Sequence, residues 1–221
     1  MNSSLCSLLG IQYPIMQGAF QWLATPELAA AVSNAGGLGT ISASLYQTKE
    51  ELTEAIARAK SLTDKPFCVN ISMFPEVVEG EKTWDFIAAC CQSQVPVVEL
   101  SGRDPKPFVE ELHGAGAKII HKSTAVRFAQ KAEAAGVDVV SVVGFECGGA
   151  PGNDDVTSMV LIPSVASAVH IPVIGGGGVC DGRSYLAMRA LGAEGVVIGT
   201  RFMATQECAI HPNFKKLLVD S

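Results

Sequence analysis

Aromatic residues make up only 6% of this 221-residue chain and charged residues only 17%, and no Lys/Arg-rich block stands anywhere in it. With a formal net charge of −6, the chain lacks the basic footprint that a nucleic-acid or anionic-membrane surface requires. No stretch approaches the roughly 18 apolar residues of a membrane helix. Residues 1–10 have neither a basic n-region nor a long apolar h-region. The seven cysteines (Cys6, Cys68, Cys90, Cys91, Cys147, Cys180 and Cys208) form no C-x-x-C pair and have no histidine cluster beside them. Neither a disulfide framework nor a zinc site is indicated, and such usage fits a reducing compartment in which a thiol acts as a small apolar side chain. A soluble, cytoplasmic protein is expected. H-E-x-x-H and EF-hand patterns are absent, so no metal is expected. Linkers, low-complexity tracts and solenoid consensus are missing too, and residues 1–221 read as a single domain.

What the chain has is apolar material, 48% of its residues, arranged in eight β-like runs. They start near Tyr13, Leu38, Phe67, Val95, Lys118, Val137, Ile171 and Gly195, and a helix-like stretch separates each from the next. Strands alternating with helices imply βαβ units and a parallel sheet, and eight units close a (β/α)8 TIM barrel. Local punctuation agrees with this. Thr25, Pro26 and Glu27 supply a cap, a first-turn proline and an early acid for a helix ending at Asn34. Thr48 and Glu51 form a capping box for a helix reaching about Leu62, and Gly136 stops another that begins at Ala125. Further strands are expected at residues 95–100, 118–121, 137–143 and 171–174, and a sixth helix at 158–169. The tail from His211 begins an eighth helix and ends with the sequence. An open doubly wound sheet is the competing fold, but Gln17-Gly18-Ala19-Phe20 after the first strand is not the G-x-G-x-x-G such a sheet carries.

A barrel puts its chemistry at the C-terminal ends of its strands. Gln17, Gly18, Asn70, Lys122, residues 146–149, residues 175–178, Gly199 and Thr200 fall there. Gly175 to Gly178 follow strand seven and Gly199-Thr200 follow strand eight, the two loops with which barrels hold phosphate through backbone N–H groups. One or two glycines would turn the chain; four in a row exceed that need. There is no G-x-x-x-x-G-K-[ST], so the phosphate belongs to a cofactor or a phosphorylated metabolite rather than to a nucleoside triphosphate.

Taken together, Gln17-Gly18, residues 35–39 (AGGLG), Asn70 within VNI, residues 144–149, Gly177-Gly178-Val179 with Asp181-Gly182, residues 199–202 (GTRF) and His211-Pro212 resemble the nitronate monooxygenases, formerly called 2-nitropropane dioxygenases. The related flavin-dependent enoyl-acyl-carrier-protein reductases share much of the pattern. The resemblance runs through the whole chain in order, and it implies an FMN-binding TIM barrel that oxidises alkyl nitronates with dioxygen. By this resemblance Gly177, Gly178, Gly199 and Thr200 hold the FMN phosphate, Gln17, Gly18, Ala19 and Asn70 line the ring with Gly148 nearby, and Lys122 is a cation beside the flavin. A fixed positive charge there stabilises reduced flavin.

The chain departs from the family in two respects. Where members carry a histidine after the glycine pair of the strand-six loop, this chain reads Glu146-Cys147-Gly148-Gly149-Ala150-Pro151-Gly152. That histidine is taken in the family as the base that removes the α-proton of a neutral nitroalkane, and Ala150 can neither accept nor donate a proton. Lys122 and position 150 are thus the two candidate catalytic positions. Members also run on by about a hundred residues, as the resemblance implies, so the last helix and a C-terminal lid are expected to be truncated here, in a fragment or in a minimal form with a wetter site.

Other functions stay open at this point. An enoyl-thioester reductase fits the strand pattern equally, although residues 149–155 look closer to the nitronate branch. A non-catalytic flavin-binding protein fits the missing histidine, and a phosphosugar aldolase or isomerase fits the fold but would need more than Lys122. The partners expected are a nitronate or nitroalkane and dioxygen, with a homodimer left open. His121 reads as a hydrogen-bonded core histidine, His113 and His170 as helix-end residues, and Asp154 and Asp155 as caps for the following helix.

Overall fold

The computed structural model describes residues 4–73, 80–149 and 152–220. Within them β1 (Ile15–Gln17), β2 (Gly39–Ser42), β3 (Phe67–Ser72), β4 (Val97–Ser101), β5 (Lys118–Ser123), β6 (Val139–Val143), β7 (Val173–Gly176) and β8 (Gly195–Ile198) form one parallel sheet in the order 1-8-7-6-5-4-3-2. The two ends of that order meet. Met16 bridges to Leu38, with Gln17 N donating to Leu38 O at 2.9 Å and Leu38 N to Ile15 O at 2.9 Å. The sheet therefore closes into the (β/α)8 TIM barrel read from the sequence.

Side chains alternate between two apolar layers, as the two-residue period of a strand dictates. Val97, Ile120, Val139, Ile174 and Val197 join an inner cluster, while Val98, Ile119, Val140 and Val173 join the outer one beneath the helices. Each fully buried Leu, Ile or Phe contributes about 1.5–3 kcal/mol. The inner layer also takes Leu5 and Leu9 of α1 (Ser4–Leu9), a helix with no expectation behind it because six residues are too few to show a period. α1 closes the barrel floor. Leu5 Cδ2 occupies the space a Cβ on Gly195 would need, and Glu194 accepts from Leu5 N at 3.4 Å.

The outer helices are α2 (Pro26–Asn34), α3 (Lys49–Leu62), α4 (Gly80–Gln92), α5 (Lys106–Gly114), α6 (Val126–Ala135), α7 (Ser158–Ala166), α8 (Gly182–Ala190), α9 (Thr200–Met203) and α10 (Pro212–Asp220). Thr25 caps α2, and Gly136 ends α6 at φ 97°. At α3 one leg of the box is as expected, Thr48 accepting from Glu51 N at 3.2 Å, but the Glu51 carboxylate reaches Gln47 N rather than Thr48 N. β7 starts two residues later than expected because Pro172 has no N–H to give the ladder. No described helix is long and apolar enough to cross a membrane, and the described residues hold no cluster of three His, Cys, Asp or Glu placed for a metal.

α2 lies so close to β2 that only glycine fits between them. A Cβ on Gly39 would sit 1.8 Å from Ala29 O, and Gly39 N donates to Ser33 Oγ at 3.2 Å. Gly39→Ala is expected to destabilise the fold by about 3 kcal/mol or more through overpacking. In a chain of this size that lowers Tm by roughly 10 °C, measurable by thermal circular dichroism.

Candidate active site

The C-terminal ends of the strands and the loops beyond them enclose an open cleft of about 1640 Å³. Gly18, Ala19, Asn70, Lys122, Gly148, Gly177, Gly178, Gly199 and Thr200 all line it, so the positions chosen along the sequence converge on one place. Gln17 is the correction. Its side chain is fully buried, Nε2 donates to Thr40 O at 3.0 Å, and Oε1 accepts from Thr40 N at 3.1 Å. A carboxamide spent in this way seals the β1–β2 seam and does not line the cleft. Ala150 lies outside the described residues.

β7 and β8 pair directly, Gly176 opposite Val197, so the two glycine loops are neighbours at the mouth. The glycine run is less surplus than its spelling suggests. A Cβ on Gly175 would meet Ile162 Cδ1 at 2.9 Å, on Gly176 Val197 Cγ1 at 2.5 Å, and on Gly177 Ser158 Oγ at 2.5 Å. Packing thus crowds three of the four, Gly176 against backbone as well as side chain, and Gly177 also has a φ of +98° that favours glycine. Gly178 has open space around its missing Cβ but a φ of +72°, which favours glycine by itself. Gly199 is different: a Cβ there would meet nothing within 4 Å, and its φ of −104° lies outside the positive range that favours glycine. The protein does not need a glycine at 199, although the cleft beside it can use one.

Opposite this cradle, the floor of the mouth is polar. Asn70 on β3 pairs in register with Glu99 on β4, and Asn70 Nδ2 donates to Glu99 Oε2 at 2.7 Å. Because a carboxylate only accepts, this bond fixes which way the Asn70 amide faces. Lys122 falls inside β5 rather than beyond it, and its Nζ stands 3.6 Å from Glu99 Oε1. Lys122 is 23% exposed and Glu99 is fully buried. Oε1 of Glu99 has no hydrogen-bond partner, nor has the buried hydroxyl of Ser141 on the neighbouring β6. Burial first, and then the Glu99 charge, push the Cys68 thiol well above its ordinary range. Sequence reasoning missed Glu99. The available signal was a single acid inside an otherwise apolar strand.

Glu146 organises the strand-six loop. Its carboxylate accepts from Ser158 N at 3.0 and 3.2 Å, and Ser158 Oγ lies 3.0 Å from Glu146 Oε2 and 2.9 Å from Gly176 O. The loop, the start of α7 and the end of β7 are thereby tied together. Asp154 and Asp155 do not cap α7: Asp154 pairs with Arg127 at 3.1 Å, Asp155 turns the chain at φ 44°, and Thr157 is the N-cap. Burial alone would raise the Glu146 pKa, but hydrogen bonds from its own backbone and from Ser158 outweigh it and hold the carboxyl below its ordinary range. A depressed carboxyl gives its contribution in full above the unfolded-state value and loses it as pH falls through the folded-state value. Protection of the Ser158 amide from exchange is therefore expected to fall on acidification below the carboxylate range, and to be weaker and pH-independent there in Glu146→Gln.

His121 is the buried, bonded histidine expected, with Nδ1 2.9 Å from Ser123 Oγ and Nε2 3.0 Å from Arg103 O. Burial holds its pKa below the usual value. His113 pairs with Asp138 at 2.9 Å and His170 with Glu133 at 3.6 Å, both outside the cleft. Cys147 lines the cleft, but burial raises its thiol pKa, so it is not a ready thiolate.

A closed parallel barrel with a glycine cradle at β7 and β8 facing a polar floor on β3 to β5 defines a class of barrel that takes a ligand at its C-terminal mouth. The sequence model of the nitronate monooxygenase family matches residues 2–221, and the chain belongs to that family. It is 39% identical over 215 residues to a hydroxy-methyl-oxo-octahydroindene-carboxyl-CoA dehydrogenase of Rhodococcus jostii, covering 97% of this chain and 59% of that protein. A probable nitronate monooxygenase of Staphylococcus haemolyticus is 35% identical over 260 residues, covering all of this chain and 72% of that one. Among solved structures, FabK of Thermotoga maritima superposes with a TM-score of 0.93 at 40% identity, over 100% of this chain and 68% of that one. The chain thus spans little more than half the length of the Rhodococcus relative.

Proposed function

We propose that the protein is an FMN-dependent oxidoreductase that oxidises alkyl nitronates with dioxygen. The observation that carries this reading is Gly199, a glycine the fold does not require, open to the cleft beside Gly177, Gly178 and Thr200. Backbone at such a point can approach a phosphate without a Cβ in the way. In this reading those four residues hold the phosphate, Gly18, Ala19 and Asn70 border the ring, and Gly148 lies nearby in the cleft lining. Bound FMN supplies a two-electron acceptor that can be reoxidised by dioxygen. Lys122 lends a positive charge to the floor, where negative charge develops on reduction. A nitronate enters already deprotonated, so Ala150 is compatible with this substrate. A neutral nitroalkane needs a base that position 150 does not supply. The cysteine usage supports a cytoplasmic setting.

A second reading, reduction or dehydrogenation of an acyl thioester, is favoured by one specific observation. Identity to the CoA-ester dehydrogenase and to FabK, 39% and 40%, exceeds the 35% to the nitronate monooxygenase. Steady-state oxygen consumption with a preformed nitronate, set beside nicotinamide oxidation with a crotonyl thioester, separates the two. The first reading expects turnover of the nitronate well above that of the parent nitroalkane. Equal rates with both forms, or turnover of the thioester alone, contradict it.

A further inference from the structure

The functional reading leaves unused the fully buried carboxylate of Glu99, which stands behind the cleft wall. Taking a carboxylate out of water is costly unless its oxygens are fully engaged, and here they are not. Oε2 takes the Asn70 amide at 2.7 Å, while Oε1 has only Lys122 Nζ at 3.6 Å and no hydrogen bond. The strand does not need an acid there: Val97 and Ser101, its neighbours on the same face of β4, are uncharged. The pair is also asymmetric. Lys122 lines the cleft and Glu99 stands behind it without reaching the cleft wall.

From this geometry we infer that Glu99 is a positioning residue: it neutralises Lys122 and orients Asn70, so that a group bound at the mouth meets an amide of fixed sense and a cation whose charge is largely cancelled. The inference rests on the reading of the cleft as a flavin site. Its consequence is a flavin less biased towards its anionic reduced form than Lys122 alone would make it. Such a flavin is a stronger reductant towards whatever accepts its electrons. Nothing is transferred to or from Glu99. It acts only through the field at the floor and the orientation of its two partners.

The sign of the effect gives the test. Wild-type protein is loaded with FMN, and the midpoint potential by dye equilibration gives the ratio of dissociation constants for reduced and oxidised flavin. Removing one unit charge at this range in a partly buried site changes that ratio by about tenfold. For a two-electron couple this is about 30 mV. Glu99→Gln leaves Lys122 uncompensated and is expected to tighten reduced flavin about tenfold relative to oxidised. Lys122→Gln is expected to do the opposite by a similar factor. The double variant carries neither charge and returns the ratio to within about threefold of wild type. Should Glu99→Gln alone fail to fold, the double variant compared with Lys122→Gln isolates the same contribution. Opposed shifts that cancel support the inference, since a merely structural lesion would move both variants the same way. Shifts of one sign, or none, overturn it while leaving the flavin reading intact, whereas wild-type protein that takes up no FMN removes both.

Discussion

Gly199→Leu is expected to leave the protein folded and to weaken FMN binding by at least about a hundredfold, an energetic loss of ~2.7 kcal/mol. The first half follows from the empty space at this position: no atom lies within 4 Å of a Cβ there, and the φ of −104° does not call for glycine. The second half follows if that space is where a phosphate approaches the backbone between the β7 and β8 loops, because a leucine side chain would fill it and bar the approach. The glycines of the β7 loop make poorer tests, since Gly178 has a φ of +72° that strains any other residue. Substituting Gly175, Gly176 or Gly177 would drive a Cβ into Ile162, Val197 or Ser158, and lost flavin would then mean lost fold. Thermal circular dichroism reads the first half and a fluorescence-quenching titration the second. A Gly199→Leu protein that melts like wild type and still binds FMN with unchanged affinity would show that the cradle lies elsewhere.

Ala150→His is expected to raise turnover of neutral nitroalkanes by about 10²–10⁴-fold, the usual contribution of a general base, and to leave nitronate turnover nearly unchanged. The argument is one of protonation. Removing an α-proton needs a lone pair within reach of carbon; of the cleft-lining side chains near position 150, Cys147 has its thiol pKa raised by burial and is not a ready thiolate, and Asp154 is paired with Arg127 at 3.1 Å. Glu146 is committed to Ser158, and His121 to Ser123 and Arg103. Steady-state rates on matched nitroalkane and nitronate pairs read the effect. Its pH profile should gain a new limb from the imidazole, close to its ordinary pKa of about 6.5. A variant that gains nothing on the neutral nitroalkane would contradict the account of position 150 as the missing base.

The strand–helix rhythm was legible because buried parallel strands are written as continuous β-branched runs, as residues 137–143 are, and because caps such as Thr25 and stops such as Gly136 are local. The closed barrel was legible in the count of eight units, but the particular long-range contacts that seal it were not. α1 plugs the barrel floor with Leu5 and Leu9, and Leu5 sits against Gly195, about 190 residues on; no period announces such a contact. Gln17 was placed at the mouth by its strand-end position, but its amide finds Thr40 across the closing seam, a bond that exists only once the barrel is shut. Glu99 was hidden in the reverse sense: the apolar run around it read as strand, and its meaning appears only when register sets it opposite Asn70 and within reach of Lys122. Asp154 and Asp155 had the residue type of a cap, yet Glu146, twelve residues before Ser158, reached the helix first.

The absorbance spectrum of purified protein, followed by heat release and identification of whatever it carries, tests the central claim most directly. The account predicts a yellow protein with flavin bands, or a colourless one that gains them stoichiometrically when FMN is added, and FMN as the species released. A protein that stays colourless in excess FMN, or that releases a different nucleotide, would contradict it.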